Sequence, residues 1–369
     1  MPKSILILNW RCPKNPLSGG AEMVTLEHAK AWAKSGLQVT WLAGNFTGAK
    51  QQEVIDGVQI YRYGSPISIY VLAPFLYWCK WGGKFDLVFD EMHGIPFLSP
   101  LWAWKSKKLA YIHEVAQEIW DEMLPFPINI FGKLYEKIYF NFYRNVPFLT
   151  GSNSTKQDLI HYGINEKHIT VIPHGLFLTP VSAVPQKEKN LTLLYVSRLV
   201  KMKGIEDAIR IFEEIRKKSS DAKFWIVGSG EVNYVKKLHD LVKELNLEKS
   251  VTFFGFVDEK KKIELYQKSH FLLHTSVREG FGLVVIEANS QGTPALTYDV
   301  PGLRDVVKNG VNGFTFPQGK NSLFVDKLLT FRNSASYNCI ALSAIQSSTG
   351  YNWHTITNQS LEILKSILS

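Results

Sequence analysis

The sequence predicts an α/β fold built from two doubly wound parallel sheets. Short apolar runs of strand length alternate with helix-length amphipathic segments along the whole chain, which is typical of parallel sheets covered by helices on both faces. At 369 residues the chain is long enough for two such domains, each with its own core. The alternation is interrupted between Leu178 and Asn190 and then restarts.

The predicted strands are the clearest apolar runs in the sequence. In chain order they are Ile5–Asn9, Val39–Ala43, Leu87–Phe89, Leu109–Ile112, Phe148–Gly151, Leu191–Val196, Phe224–Val227, Val251–Phe254 and Phe271–His274. In an open α/β sheet, ligands bind at the carboxyl ends of the strands. We therefore expect functional residues directly after these runs.

A polar stretch that contains prolines supplies the domain boundary. Pro180 and Pro185 lie among polar residues there, a composition typical of linkers. The sequence therefore predicts a first Rossmann-like domain over residues 1–180 and a second over residues 190–350. Residues 351–369 are predicted to form a final helix.

Composition limits the class and the compartment. Hydrophobic residues make up 45% of the chain and charged residues 20%, as in ordinary globular proteins. Three scattered cysteines predict a reducing compartment rather than a disulfide framework. The first apolar run ends at Asn9, too early for a secretory signal. We therefore expect a cytoplasmic protein.

The formal net charge of +9 admits nucleic acid, an anionic membrane surface or phosphorylated small molecules as partners. No zinc-ligand spacing or nucleic-acid recognition motif accompanies the basic residues, so we expect no nucleic-acid partner. Aromatic and basic residues alternate between Pro66 and Phe148, a pattern that suits either a membrane headgroup zone or a packed core. No apolar stretch approaches the roughly 20 residues of a transmembrane helix.

The segment from Arg278 to Glu287 is the most informative part of the sequence. Glu279 and Glu287 flank a Gly-Phe-Gly turn that follows an apolar strand and opens a helix. Gly280 and Gly282 allow the backbone to approach a ligand, and the N–H groups at a helix start suit a diphosphate. Carboxylates beside a phosphate need neutral hydrogen-bond donors, such as sugar hydroxyls. The pairing predicts a nucleotide-sugar site.

This spacing of two glutamates resembles the EX7E motif of retaining GT-B glycosyltransferases, in particular glycosyltransferase family 4. Other segments resemble motifs of that family in the same order, spanning nearly the whole chain. They are Ser18–Glu22, Val171–Gly175, Val196–Leu199 with Lys203–Gly204, and Val227–Gly230. Five ordered matches rarely arise by chance. The resemblance implies a GT-B architecture, in which two Rossmann-like domains face a cleft and the last helix crosses back to the first domain.

The resemblance also implies roles for residues of the second domain. Arg198 and Lys203 follow its first strand, where two cations would hold the diphosphate leaving group without a metal. Glu287 would contact the ribose, and Glu279 would position the sugar. The backbone partners of the sugar would be Phe281, Gly282, Leu283 and Val284, and the other nucleotide-binding candidates are Gly228, Gly230 and Val257.

Candidate residues of the first domain also follow predicted strands. Gly19 and Gly20 would let a helix start approach the phosphates or the sugar. His113 ends a strand, where an imidazole can hydrogen-bond a sugar hydroxyl or polarise the acceptor. Two further features suit either a structural or a ligand-facing role, namely Glu22 in a first helical turn and the cluster Asp90, Glu91 and His93.

We therefore expect a retaining glycosyltransferase that moves a hexosyl unit from a nucleotide diphosphate sugar to an acceptor hydroxyl, with no cofactor and no metal. The expected acceptor is a carbohydrate or lipid-linked molecule of envelope polysaccharide, glycolipid or glycoconjugate synthesis, at the inner face of an anionic membrane. Two alternatives are a nucleotide-sugar epimerase or phosphorylase on the same fold, and a catalytically silent nucleotide-sugar-binding protein. The presence of both cations and both glutamates argues against a silent protein.

Overall fold

The computed structural model describes residues 2–331 and 334–369. The chain forms two compact units: the first runs up to Gly175 and includes Asn352–Ser369, and the second comprises Leu176–Tyr351. Each unit has its own sheet, built almost entirely from parallel strands connected by helices, so the predicted α/β class is confirmed. Among the described residues, no helix combines the length and the apolar character needed to cross a bilayer.

The first unit contains an eight-stranded sheet. Its strands are β1 (Ser4–Leu8), β2 (Gln38–Ala43), β3 (Gln52–Ile55), β4 (Val58–Arg62), β5 (Leu87–Met92), β6 (Lys107–Ile112), β7 (Phe148–Thr150) and β8 (Ile169–Val171). Their order is β3-β4-β2-β1-β5-β6-β7-β8, with only β3 antiparallel to its neighbour. Because the order of connection reverses between β1 and β5, the loops after these two strands flank a crevice at the carboxyl edge.

Five helices connect these strands: α1 (Gly20–Lys34), α2 (Ile69–Phe75), α3 (Ile119–Met123), α4 (Ile128–Phe140) and α5 (Asn153–His161). The central strand β1 is apolar along its length because both of its faces are covered, and Ile5, Leu6, Ile7 and Leu8 have no exposed surface. The aromatic stretch that the sequence assigned to either core or surface divides between the two. Tyr77, Tyr139, Phe140 and Tyr143 are fully buried, whereas Phe75, Trp104, Phe126 and Phe131 are exposed.

The second unit contains a six-stranded parallel sheet in the order β11-β10-β9-β12-β13-β14. Its strands are β9 (Thr192–Val196), β10 (Lys223–Val227), β11 (Val251–Gly255), β12 (Phe271–His274), β13 (Ala295–Tyr298) and β14 (Gly313–Phe316). Its helices are α6 (Ile205–Lys218), α7 (Val232–Glu244), α8 (Glu259–Lys268), α9 (Leu283–Ser290), α10 (Leu303–Val306), α11 (Asn321–Leu329) and α12 (Ser334–Ser348). The reversal lies between β9 and β12, so ligands are expected beside these strand ends.

The helix α13 (Trp353–Leu368) is part of the first unit, where it packs against α1. The Ser360 hydroxyl accepts a hydrogen bond from Trp32 Nε1 at 3.0 Å and lies 2.9 Å from His28 Nδ1. The His28 ring also meets the Trp353 ring edge to face, with centroids 5.8 Å apart. Burial in this cluster, aided by the positive charge that His113 can carry, lowers the pKa of His28 to about 4.

His28 should make the stability of the first unit depend on pH. The folded chain keeps this imidazole neutral down to about pH 4, whereas the unfolded chain protonates it below its ordinary pKa of 6.5. The stabilisation is therefore complete above pH 6.5 and is lost as the pH falls towards 4, by about 3 kcal/mol in total. Urea unfolding across this range should show a shallower pH slope for His28→Gln. The exposed His354→Gln on α13 is the matched control, and equal slopes in all three proteins would contradict the assignment.

Candidate active site

The predicted donor residues of the second unit follow the carboxyl ends of four adjacent strands, β11, β10, β9 and β12. Gly228 directly follows β10 with φ +140°, and a Cβ there would lie 1.7 Å from the carbonyl oxygen of Ser197. Gly230 packs equally closely on Leu199, with which it forms a parallel bridge. The two glycines therefore hold the loops after β9 and β10 against each other, which only residues without a side chain permit.

A charged cluster forms where the loops after β9 and β12 meet. The Lys203 ammonium donates a hydrogen bond to Glu279 Oε1 at 2.6 Å, and His274 Nε2 lies 2.9 Å from the same oxygen. Burial alone would raise the pKa of Glu279, but the charge on Lys203 and the imidazole of His274 hold this pKa well below its usual range. Glu279 is therefore a fixed anion. Arg198, at the end of the same strand as Lys203, is exposed.

Glu279 is held from the other side by the start of α10. Its backbone N–H donates to the carbonyl oxygen of Pro301 at 3.2 Å. Gly302 has φ +81°, and a Cβ there would lie 2.0 Å from the carbonyl oxygen of Glu279. The backbone on both sides of this contact is thus closely packed, so the carboxylate projects from a rigid loop.

The turn that carries the second glutamate begins α9. Gly282 is the N-cap of this helix, with φ +100°, and the helix starts at Leu283. The side chain of Phe281 is buried against Tyr351, so only its backbone is available to a ligand. The first N–H groups of α9, those of Leu283 and Val284, have no earlier helical turn to bind and suit an anion.

Glu287 lies one turn further into α9 and is 7% exposed. Its Oε2 accepts hydrogen bonds from Lys262 Nζ at 2.9 Å and from the Tyr266 hydroxyl at 3.0 Å, both contributed by α8. Sequence reasoning missed Lys262 and Tyr266, as it missed the role of His274. The structure leaves Val257 half-buried and the preceding Phe256 85% exposed at the end of β11.

In the first unit, Glu22 fixes the loop that carries the two predicted glycines. Gly19 is the N-cap of α1, its backbone N–H donates to Glu22 Oε2 at 2.7 Å, and Gly20 is the first helical residue. Arg11 donates to the other Glu22 oxygen at 2.9 Å, and this carboxylate is buried. Glu22 thus has a structural role, which is to hold the glycine loop at the head of α1.

His113 belongs to a buried chain of imidazoles around one carboxylate. Glu91 Oε1 lies 3.0 Å from His93 Nε2 and 3.1 Å from His113 Nε2, and His113 Nδ1 lies 3.3 Å from His174 Nε2. Burial opposes ionisation of Glu91, but hydrogen bonds from both imidazoles lower its pKa to about 2. The pKa of His174 falls well below its usual value because of burial and the neighbouring His113. Glu91 is therefore the anion that orients His113.

The same three side chains could bind a metal ion. One ligand atom each from Glu91, His93 and His113 lie within 4.8 Å of one another, and two imidazoles with one carboxylate suit zinc. Asp90, in contrast, is structural: its carboxylate is buried and accepts hydrogen bonds from the backbone of Phe97 and Ser99 and from the Tyr143 hydroxyl.

Family comparisons agree with the two-unit division of the fold. Residues 18–178 match the model of Glycosyltransferase Family 4, and residues 181–338 match that of Glycosyl transferases group 1. An uncharacterised glycosyltransferase of Methanocaldococcus jannaschii is 28% identical over 62% of each chain. The O-antigen chain mannosyltransferase of Salmonella typhimurium is 25% identical over 77% of this chain and 74% of its own.

Solved structures share the fold at low sequence identity. Sucrose-phosphate synthase from Thermosynechococcus elongatus superposes with a TM-score of 0.81 over 99% of both chains at 18% identity. The Anabaena protein HepE, solved in complex with UDP-glucose, superposes with a TM-score of 0.76 at 21% identity. The match covers 98% of this chain and 99% of HepE. Together with the family matches, this fold supports a GT-B glycosyltransferase of the family 4 type.

Proposed function

We propose that this chain, with the two domain types of a GT-B glycosyltransferase, transfers a hexosyl unit from a nucleotide diphosphate sugar to an acceptor hydroxyl. The proposal rests on the cluster of Lys203, Glu279 and His274, beside the glycine loop after β10 and the start of α9. An ammonium, a fixed carboxylate and free helix N–H groups are complementary to a sugar diphosphate, in which anionic phosphates adjoin neutral hydroxyls.

Lys203 would stabilise the leaving group. When the bond between the anomeric carbon and the phosphate oxygen breaks, that oxygen gains negative charge, which a fixed cation stabilises more in the transition state than in the substrate. The ammonium carries three N–H donors, so it can keep Glu279 while it donates to the diphosphate. Arg198, exposed at the same strand end, would be the second cation. We propose that this pair serves in place of a metal.

The transfer would retain the anomeric configuration. The acceptor oxygen would bond to the anomeric carbon on the face from which the diphosphate departs, and its proton would pass to the departing phosphate oxygen. Glu279 would accept hydrogen bonds from the sugar hydroxyls, and Glu287 would accept one from the ribose. Gly228, Gly230 and Val257 would contact the nucleotide through their backbone.

In the first unit, the proposed ligand-binding residues are two glycines and a histidine. Gly19 and Gly20 would present the start of α1 to an anionic group. His113, oriented by Glu91 at 3.1 Å, would hydrogen-bond a sugar hydroxyl. The relatives include proteins named for O-antigen mannosyl transfer and for lipopolysaccharide 1,6-galactosyl transfer. These names support a carbohydrate or lipid-linked acceptor of the cell envelope, and we propose a cytoplasmic site of action at the membrane surface.

Thermal-shift titration with UDP-, GDP- and ADP-sugars in the presence of EDTA tests the donor site. One nucleotide should stabilise the folded chain by about 2.7 kcal/mol at a hundred times its dissociation constant. Glu287→Gln should weaken this effect, whereas Glu244→Gln on the exposed face of α7 should not. No stabilisation by any donor would contradict the proposal. Turnover of donor without acceptor would indicate an epimerase, and dependence on inorganic phosphate a phosphorylase.

A further inference from the structure

The helix α4 turns its apolar side away from the protein. Its inner face packs through Glu136, Tyr139 and Phe140, which are buried. The outer side of the helix and its two flanking phenylalanines, here called the α4 apolar face, are between 36% and 79% exposed. They are Phe126, Ile128, Ile130, Phe131, Leu134, Tyr135, Ile138 and Phe142. A surface helix normally directs its apolar stripe to the core, so a contiguous exposed stripe of this kind marks a contact surface.

The charges of α4 and of the segment that follows it are mainly positive. Between Leu124 and Gly151 the basic residues are Lys133, Lys137 and Arg144, and the single acid is the buried Glu136. Lys133 contacts Asp121 at 2.5 Å, whereas Lys137 and Arg144 are exposed. Aromatic and aliphatic side chains flanked by cations are the composition of helices that lie in the interface of anionic bilayers.

We infer that the α4 apolar face is the surface through which the first unit binds an anionic lipid bilayer. The 13 residues of α4 span about 20 Å, less than the hydrocarbon thickness of a bilayer, so the helix would lie in the plane of the membrane. A second copy of the chain is a poorer occupant, because a symmetric contact would place two surfaces of the same positive charge against each other. Anionic headgroups complement both cations.

The same helix is bonded to the loop that follows His113. The buried Glu136 carboxylate accepts hydrogen bonds from the backbone N–H groups of Ala116 at 2.8 Å and Gln117 at 2.9 Å. It also accepts one from Trp120 Nε1 at 3.3 Å. A Cβ at Gly132 would lie 2.7 Å from the Trp120 ring, so the indole packs directly on the α4 backbone. The membrane-binding helix and the loop after His113 therefore form one packed element.

The packing of α4 on the loop after His113 extends the proposed function to the acceptor, and this extension rests on that function. A bilayer on the α4 apolar face would be held at a fixed position relative to His113. The acceptor is then expected to be lipid-linked, because such a molecule would be concentrated at the surface that binds α4.

Vesicle co-sedimentation tests the inference with the full chain. The protein should sediment with vesicles made of equal parts phosphatidylcholine and phosphatidylglycerol, and much less with phosphatidylcholine alone or at high salt. The double variant Phe131→Ser with Leu134→Ser should weaken binding by about tenfold or more. Leu323→Ser, an exposed leucine of α11 in the second unit, is the matched control.

The outcomes distinguish a membrane contact from a contact between two copies of the chain. Equal vesicle binding by the double variant and the control, or no binding by any of them, would overturn the membrane assignment. A wild-type dimer in sedimentation velocity that the double variant converts to a monomer would identify a second copy as the occupant instead. Because the substituted side chains are exposed, the variants should stay folded. Their response to nucleotide sugars in thermal-shift titration should be unchanged, so failure here is distinguishable from failure of the donor site.

Discussion

Replacing Lys203 with alanine is expected to lower kcat by about a hundred- to a thousand-fold. This is the usual effect of removing one group that stabilises charge in a transition state. The ammonium lies 2.6 Å from Glu279, and Lys203 as a whole is 9% exposed, so water would compensate for its loss only partly. The variant loses both the proposed cation for the leaving diphosphate and a hydrogen-bond partner of Glu279, so kcat should fall more than KM rises.

Steady-state kinetics with the donor identified by thermal shift would measure this effect. Lys237→Ala, which removes an exposed lysine from α7, is the matched control for the loss of one positive charge. Circular dichroism should establish that the Lys203 variant is folded before its rate is interpreted. A folded variant with wild-type kcat would remove the leaving-group role from Lys203 and leave Arg198 as the remaining candidate.

Replacing Gly204 with alanine is expected to destabilise the second unit by about 3 kcal/mol or more. Gly204 connects Lys203 to α6 and has φ +66°. A Cβ there would lie 1.9 Å from the carbonyl oxygen of Thr275, a backbone atom that directly follows β12. The Thr275 hydroxyl also donates to the carbonyl oxygen of Gly204 at 2.6 Å. The new methyl group would therefore push the loops after β9 and β12 apart and weaken the donor site.

The control for this substitution separates steric contact from backbone conformation. Gly310 has φ +79°, and a Cβ there would meet nothing within 4 Å. Gly310→Ala should therefore lower the free energy of unfolding only by the cost of a left-handed backbone at a residue with a Cβ, about 1–2 kcal/mol. Urea unfolding of both variants gives the comparison, and equal losses of stability would mean that the contact with Thr275 relaxes without cost.

The central strands were predictable because burial on two faces leaves a continuous apolar run. Each of the nine predicted strands coincides with an observed strand to within a few residues. The five missed strands, β3, β4, β8, β13 and β14, are runs of only three to five residues, each of which contains a polar residue or a glycine. β3 and β4 hold the polar residues Gln52, Glu53 and Gln59, because this hairpin lies at the edge of the sheet. β8 has only three residues, and β14 begins at a glycine.

The places of Glu279 and Glu287 before and inside a helix start were predictable, because both lie in one segment with the glycines that shape the turn. Their partners come from distant parts of the sequence. Lys262 and Tyr266 belong to an ordinary amphipathic helix, and nothing in the spacing of α8 indicates that these two side chains reach Glu287. His274 is the last residue of an apolar strand, and its contact with Glu279 depends on how the following loop returns.

The structure also resolves an ambiguity in the cluster at the end of β5. The sequence left Asp90, Glu91 and His93 with either a structural or a ligand-facing role. Asp90 points into the protein and binds the backbone, whereas Glu91 binds two imidazoles, one of them His113. Adjacent residues of a strand point to opposite faces, and this alternation separates the two roles.

The contribution of α13 to the first unit affects how the protein is made. Ser360 supplies the hydroxyl shared by His28 and Trp32, so the first unit is incomplete until residues beyond Asn352 have left the ribosome. The second unit, Leu176–Tyr351, lies between these two parts in the chain. Translation of this intervening segment takes on the order of tens of seconds at typical rates of about 5–20 residues per second. The second unit can therefore fold first, although it follows in the sequence. During that time the surface of α1 that binds α13 stays uncovered in the nascent first unit.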